Sequence, residues 1–248
     1  MTRTTLSTTD LVVSDFALGT GMFGSGVPEE AARQQMDLYV QGGGNVLDAA
    51  RVYGTSGQSE QILGRWMEDR GCRNQVVLVT KGAHPLLDRI HQSRMSRREI
   101  ETDLFESLEH LRTDIIDLYL LHRDAPEVPV EQIVEILEAQ VAAGRIRWYG
   151  CSNWAPKRIR AAQQYARGRG YQGFSCNQLN YSLAAADPDL LADNTQYTMD
   201  RDALELHRSQ LLPAMAYAAM AQGYFQKRFR GEWKTSTARQ STSGSSRS

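Results

Sequence analysis

The chain has 248 residues, with 28 lysines and arginines against 29 aspartates and glutamates, so its formal net charge is −1. A charge so close to zero removes the electrostatic footprint expected of a nucleic-acid or membrane-surface binder. A hydrophobic content of 41 % with 20 glycines is that of a core-forming globular chain, and the length fits a single α/β barrel. The three cysteines, Cys72, Cys151 and Cys176, are odd in number and match no zinc spacing. They read as reduced thiols, and with no apolar leader at the start they point to a cytoplasmic protein. The longest near-apolar run, 211–221, is too short to span a bilayer.

Short β-rich runs alternate with helical patterns along the chain. The first is 16–19. Pro28 then suits an opening helical turn and leads into Ala32, Met36 and Tyr39, stopped by Gly42, Gly43 and Gly44. A strand at 45–48 precedes a weaker helical pattern at 59–69, and another at 76–80 precedes a capping box of Ser96 and Glu99. Ile100, Leu104, Leu108 and Leu111 follow that box at helical spacing. After a strand at 115–121, Val130, Ile133, Val134, Leu137 and Val141 form an apolar stripe that Gly144 stops. Strands at 146–151, 174–178 and 212–217 complete seven, with a weak helix at 156–167 between the first two. His110 and His207 fall within helical patterns and are expected to face solvent. The connection 182–199 has no clear period and is assigned to the substrate pocket or a cofactor cover.

Strand–helix alternation at this pitch means parallel βαβ units, in an open sheet or a closed barrel. Gly19-Thr20-Gly21 begins like a dinucleotide-binding turn, but Phe23 and Gly24 break its spacing and no helix starts there. Polar residues also fall at, or just past, the C-terminal ends of six successive strands: Asp48, Lys81, His122, Ser152 with Asn153, Gln178 and Tyr217. Parallel barrels build their active sites on that rim. The expected fold is therefore a TIM-type (β/α)8 barrel over residues 1–233, with about seven βα units legible and the eighth strand missing. Nine of the fifteen residues in 234–248 are Ser or Thr, and this segment reads as a disordered tail.

The rim residues suggest a proton relay. Tyr53 follows Asp48 by five residues, and Lys81 ends the third strand. An ammonium beside a phenol favours the phenolate, and a carboxylate beside the ammonium keeps it charged. Tyr53, Lys81 and Asp48 would then form an acid poised to protonate an oxygen, with His122 offering it an N–H. Asp48 and Lys81 equally suit a structural buried ion pair. No activated nucleophile or metal-ligand spacing is legible. An acid without a nucleophile takes its electrons from elsewhere, and a hydride donor is the natural source. The amide and hydroxyl groups of Ser152, Asn153 and Gln178 suit a carboxamide, and Tyr217 suits stacking on a ring.

At these residues the sequence resembles the aldo-keto reductase family. The matching motifs are Gly19-Thr20-Gly21, NVLDAARVYG at 45–54 with Ser59-Glu60 and Leu63-Gly64, VTK at 79–81, DIIDLYLLH at 114–122, GCSNW at 150–154 and NQLNY at 177–181. The resemblance implies an eight-stranded α/β barrel that reduces aldehydes and ketones with NADP(H). It places Asp48, Tyr53, Lys81 and His122 as the catalytic four, with Tyr53 as the acid. It sets Gly19, Thr20, Ser152, Asn153, Gln178 and Tyr217 against the nicotinamide nucleotide, and makes 4–13 a hairpin closing the barrel floor. Ala218 stands where the family usually has a serine that contacts the pyrophosphate, and the last helix-strand-helix portion has no counterpart. The resemblance therefore also allows a nucleotide-binding regulatory module or an inactive truncated reductase.

Overall fold

The computed structural model describes residues 1–184, 193, 195–209 and 212–232. The Ser/Thr-rich segment 234–248, expected to be disordered, lies outside them. The chain opens with an antiparallel hairpin, β1 (Arg3–Thr5) and β2 (Val12–Ser14), in the place expected for a floor hairpin. Seven further strands then lie parallel and in sequential order: β3 (Ala17–Gly19), β4 (Val46–Asp48), β5 (Val77–Gly82), β6 (Ile116–Leu121), β7 (Ile146–Ser152), β8 (Asn177–Asn180) and β9 (Ala214–Tyr217). This is the helix-covered parallel sheet of a TIM-type α/β barrel. Among the described residues, β3 and β9 pair on one side only.

The helices follow the apolar stripes: α1 (Glu29–Gln41), α2 (Gln58–Arg70), α3 (Arg97–Leu111), α4 (Val130–Ala142) and α5 (Pro156–Arg169). Ser96 and Glu99 form the reciprocal capping box that starts α3, and Pro156 occupies the first turn of α5. Two later helices, α6 (Arg201–Ser209) and α7 (Tyr224–Phe229), had little signal, since α6 buries only Ala203 and Leu206 and α7 buries nothing.

Strand alternation separates two cores. Leu47, Leu78, Tyr119 and Leu121 pack outward against helix residues such as Met36, Leu63, Ile100 and Ile133. Val46, Val77, Val79, Leu118, Leu120 and Cys176 form the inner cluster, with Leu11 from the hairpin connection and Trp148 and Met215 packed against it. Side chains two residues apart share a face. Asp48, Lys81, His122, Ser152, Gln178 and Tyr217 therefore continue the inner face to its C-terminal end, above an apolar floor. Gly150, on the same face of β7, leaves space that a Cβ would take: it would stand 2.6 Å from the Cys176 carbonyl and 2.9 Å from Leu120.

Two expectations are corrected here. His110 does not face solvent; its Nδ1 lies 3.4 Å from the buried Glu60 carboxylate, whose other oxygen accepts from Thr80 Oγ1 at 2.6 Å. His207 lies between the Leu212 carbonyl, 2.7 Å from Nδ1, and the Asn177 amide of β8, 3.5 Å from Nε2. In both cases the partners lie outside the helix, where a helix-face reading does not see them. The three cysteines are free and buried.

Candidate active site

The ladder between β4 and β5 continues past the end of β4, through Ala49 N to the Val79 carbonyl and Arg51 N to the Lys81 carbonyl, both at 2.9 Å. This extension carries Tyr53 back over the sheet end. Lys81 is fully buried, and all three protons of its ammonium are placed: on Asp48 Oδ1 at 2.7 Å, the Ala49 carbonyl at 2.7 Å and the Tyr53 hydroxyl at 3.3 Å. Burial disfavours the charged amine, but the Asp48 carboxylate and Tyr53 outweigh it and hold the lysine above its ordinary pKa. The other Asp48 oxygen accepts from Gln178 Nε2 at 3.1 Å, so β4, β5 and β8 are tied together at the rim.

His122 follows β6, its backbone N–H donating to the Gly82 carbonyl at 2.9 Å. Its ring stands edge-on to Tyr53, with centroids 5.8 Å apart, and to His84, with centroids 4.6 Å apart. Burial first, then the charge of Lys81 and the neighbouring His84 and Arg123, drives its pKa well below the usual histidine value. That shift favours the neutral ring. Its Nδ1 is buried without a hydrogen-bond partner. A wasted buried N–H is rarer than a wasted acceptor, which favours the tautomer with its proton on Nε2.

Asp48, Tyr53, His122, Ser152, Asn153, Gln178 and Tyr217 line one cleft of about 370 Å³, with Lys81 immediately beneath. Asn153 sits at φ +62°, a left-handed conformation that asparagine tolerates. Its amide is already engaged: Nδ2 donates to Ser152 Oγ at 3.0 Å, while Oδ1 accepts from Tyr197 N at 3.1 Å and the Tyr217 hydroxyl at 2.7 Å. Gly19 and Thr20 stand apart from this arrangement. Thr20 is buried, with Oγ1 donating to the Asp48 carbonyl at 3.0 Å and accepting from Ser59 at 2.8 Å, and the neighbouring Gly21 lines the cleft instead. A larger cavity of about 610 Å³ lies at the hairpin end, but its Arg73 and Arg147 are both paired with Asp117. The rim cleft, which gathers most of the sequence-predicted residues, is the candidate site.

The sequence profile of the aldo/keto reductase family matches residues 15–243. The chain belongs to the aldo/keto reductase family. It is 35 % identical to the uncharacterized oxidoreductase YrpG of Bacillus subtilis over 191 residues, which is 74 % of this chain and 59 % of that protein. It is 33 % identical over 159 residues to the aldo-keto reductase YhdN of the same organism, covering 62 % of this chain and 48 % of YhdN. Norsolorinic acid reductase B of Dothistroma septosporum is 27 % identical over 232 residues, 88 % of this chain and 56 % of that enzyme. This aldo/keto reductase chain thus spans about half the length of the curated relatives it matches.

Two further residues line the cleft. His84 lies in the long loop after the third strand, where the sequence alone leaves a substrate role open but unsupported, and Arg123, directly after His122, escaped the sequence reading. Arg123 is buried and reaches the 182–199 connection, donating to Asp193 Oδ2 at 2.6 Å and Thr195 Oγ1 at 2.7 Å. Gln196, from the same connection, lines the cleft, which agrees with the placement expected for that segment. Counting two residues past the end of the fourth strand would have found Arg123.

Proposed function

We propose that this chain carries the carbonyl-reducing site of an NADPH-dependent oxidoreductase, with Tyr53 as general acid and Lys81, Asp48 and His122 in support. The observation that carries the reading is the Lys81 ammonium, buried and donating to the Tyr53 hydroxyl at the wall of the cleft. Because that oxygen accepts a proton from Lys81, the phenol's own proton is free to point into the cleft. Tyr53 gives that proton to the carbonyl oxygen of an aldehyde or ketone, and the adjacent ammonium stabilises the phenolate left behind. The neutral His122, with its proton on Nε2, donates to the same oxygen and orients the carbonyl.

The inner-face residues fit a nicotinamide carboxamide. Ser152 and Gln178 pair in register on β7 and β8 and both line the cleft. Among the described residues, the Ser152 hydroxyl proton has no acceptor and Gln178 Oε1 has no donor. They therefore offer one donor and one acceptor, the complement of a primary amide's carbonyl and NH2. Tyr217, beside them, presents its ring to the cleft. When bound, a reduced nicotinamide supplies the hydride that goes to the carbonyl carbon. Leu87, which is 76 % exposed and lines the cleft, provides an apolar flank for the rest of the substrate.

NADPH oxidation with a simple aromatic aldehyde tests this reading. Aldehyde-dependent oxidation by the native chain supports it. Tight NADPH binding in a fluorescence titration without turnover would favour a nucleotide-binding module, and absence of both would reject the assignment.

A further inference from the structure

The turn after β5 holds His84 in an uncommon way. Ala83 adopts φ +59°, a left-handed conformation that residues with a Cβ avoid. Its N–H donates to Asp103 Oδ2 at 2.8 Å, and the same carboxylate takes two hydrogen bonds from Arg94, at 2.9 and 2.7 Å. Arg94 in turn donates to the His84 carbonyl at 3.1 Å. Buried Asp103 and half-buried Arg94 therefore clamp a disfavoured turn, and the result is an imidazole set edge-on against His122 at the cleft. Strain maintained by dedicated partners is a mark of functional positioning.

The chemistry of that ring follows from its partner. His84 Nδ1 lies 2.6 Å from the Pro85 carbonyl, which can only accept, so Nδ1 carries the proton and Nε2 a lone pair. Burial works to keep the ring neutral, as do the charges of Arg123 and Arg94, while the Pro85 bond and Asp193 oppose them. Among the described residues, Nε2 has no hydrogen-bond partner and is not a buried orphan. The cleft thus presents an acceptor, on His84, next to the donor assigned to His122.

We infer that His84 is a specificity-determining residue that accepts a hydrogen bond from a hydroxyl adjacent to the substrate's carbonyl, so that the site prefers hydroxy-aldehydes and hydroxy-ketones over their unsubstituted counterparts. The inference rests on the carbonyl-reduction reading above. A site built to hydrogen-bond a substrate hydroxyl discriminates against the analogue lacking it, because its own polar group is then left unpaired.

The test is the ratio of kcat/KM for glyceraldehyde to that for propanal, with NADPH, in the native chain, His84→Phe and His84→Gln. Phenylalanine preserves a ring against His122 but has no acceptor, whereas the glutamine amide oxygen restores one. The ratio is expected to fall about tenfold in His84→Phe and to stay within about threefold of the native value in His84→Gln. A native ratio retained by His84→Phe overturns the role of His84 while leaving carbonyl reduction standing. Failure of the native chain to turn over either aldehyde overturns the reduction reading and this inference with it.

Discussion

The Lys81 ammonium donates to the Tyr53 hydroxyl at 3.3 Å while its other two protons are fixed on Asp48 and the Ala49 carbonyl. One cation thereby serves both the stability of the rim and its proposed acid. Lys81→Met removes the charge that compensates Asp48, whose side chain is only 14 % exposed. Breaking a buried pair on one side costs about 3–5 kcal/mol, so urea unfolding is expected to show a loss of that order. NADPH-dependent turnover is expected to fall about 10²–10⁴-fold. A variant of native stability and activity would show that this pair does neither job.

Gly82, next to Lys81, exists to admit Tyr119. A Cβ at position 82 would stand 1.9 Å from the Tyr119 hydroxyl, which is itself buried without a partner. Gly82→Ala is expected to destabilise by about 1–3 kcal/mol, the usual range for overpacking. Tyr119→Phe removes an unsatisfied hydroxyl and is expected to be neutral or slightly stabilising. In the double variant the cost of Gly82→Ala shrinks. Strict additivity in a double-mutant cycle, measured by urea midpoints, would contradict the contact.

His122 gives stability a signature in acid. Its pKa is driven well below 6.5 by burial and by Lys81, His84 and Arg123. In the unfolded chain the ring takes up a proton near pH 6.5, and in the folded chain it does not. Lowering the pH through that value therefore favours unfolding, with a limiting slope of about 1.4 kcal/mol per pH unit for one histidine. Unfolding free energies of the native chain should fall more between pH 6.5 and 5.5 than those of His122→Asn. Parallel profiles would mean that the ring titrates normally.

How far the sequence determines this site depends on the kind of interaction. Strand alternation places Asp48, Lys81, His122, Ser152, Gln178 and Tyr217 on one face, because residues two apart must share it. That regularity is local, and it is legible. Thr20 sits in a matching motif, yet its hydroxyl is spent on Asp48 and Ser59, 28 and 39 positions away. The same holds for His110 against Glu60 and for Arg123 against Asp193. Partners brought together by the fold leave no periodic trace, and the turn that presents His84 depends on Asp103 and Arg94 at a distance in the chain. The helix α6 was faint for another reason: two buried residues make too narrow a stripe.

The Arg123 contacts tie the 182–199 connection to the rim. Arg123→Ala leaves Asp193 without its counter-ion and Thr195 without its donor. Amide exchange at Tyr197 and Met199, whose N–H groups are held by Asn153 and Asn180, is then expected to accelerate about tenfold or more. Native exchange rates at both amides would show that the connection is anchored elsewhere.

In the proposed reaction the Tyr53 hydroxyl delivers the proton. Replacing that residue by phenylalanine removes one oxygen and keeps the ring beside His122. Steady-state NADPH oxidation with an aromatic aldehyde, compared between the native chain and Tyr53→Phe, decides it most directly. Native turnover is expected, with a kcat at least about 10²-fold lower in the variant and NADPH binding retained. Equal kcat values in the two proteins would contradict it.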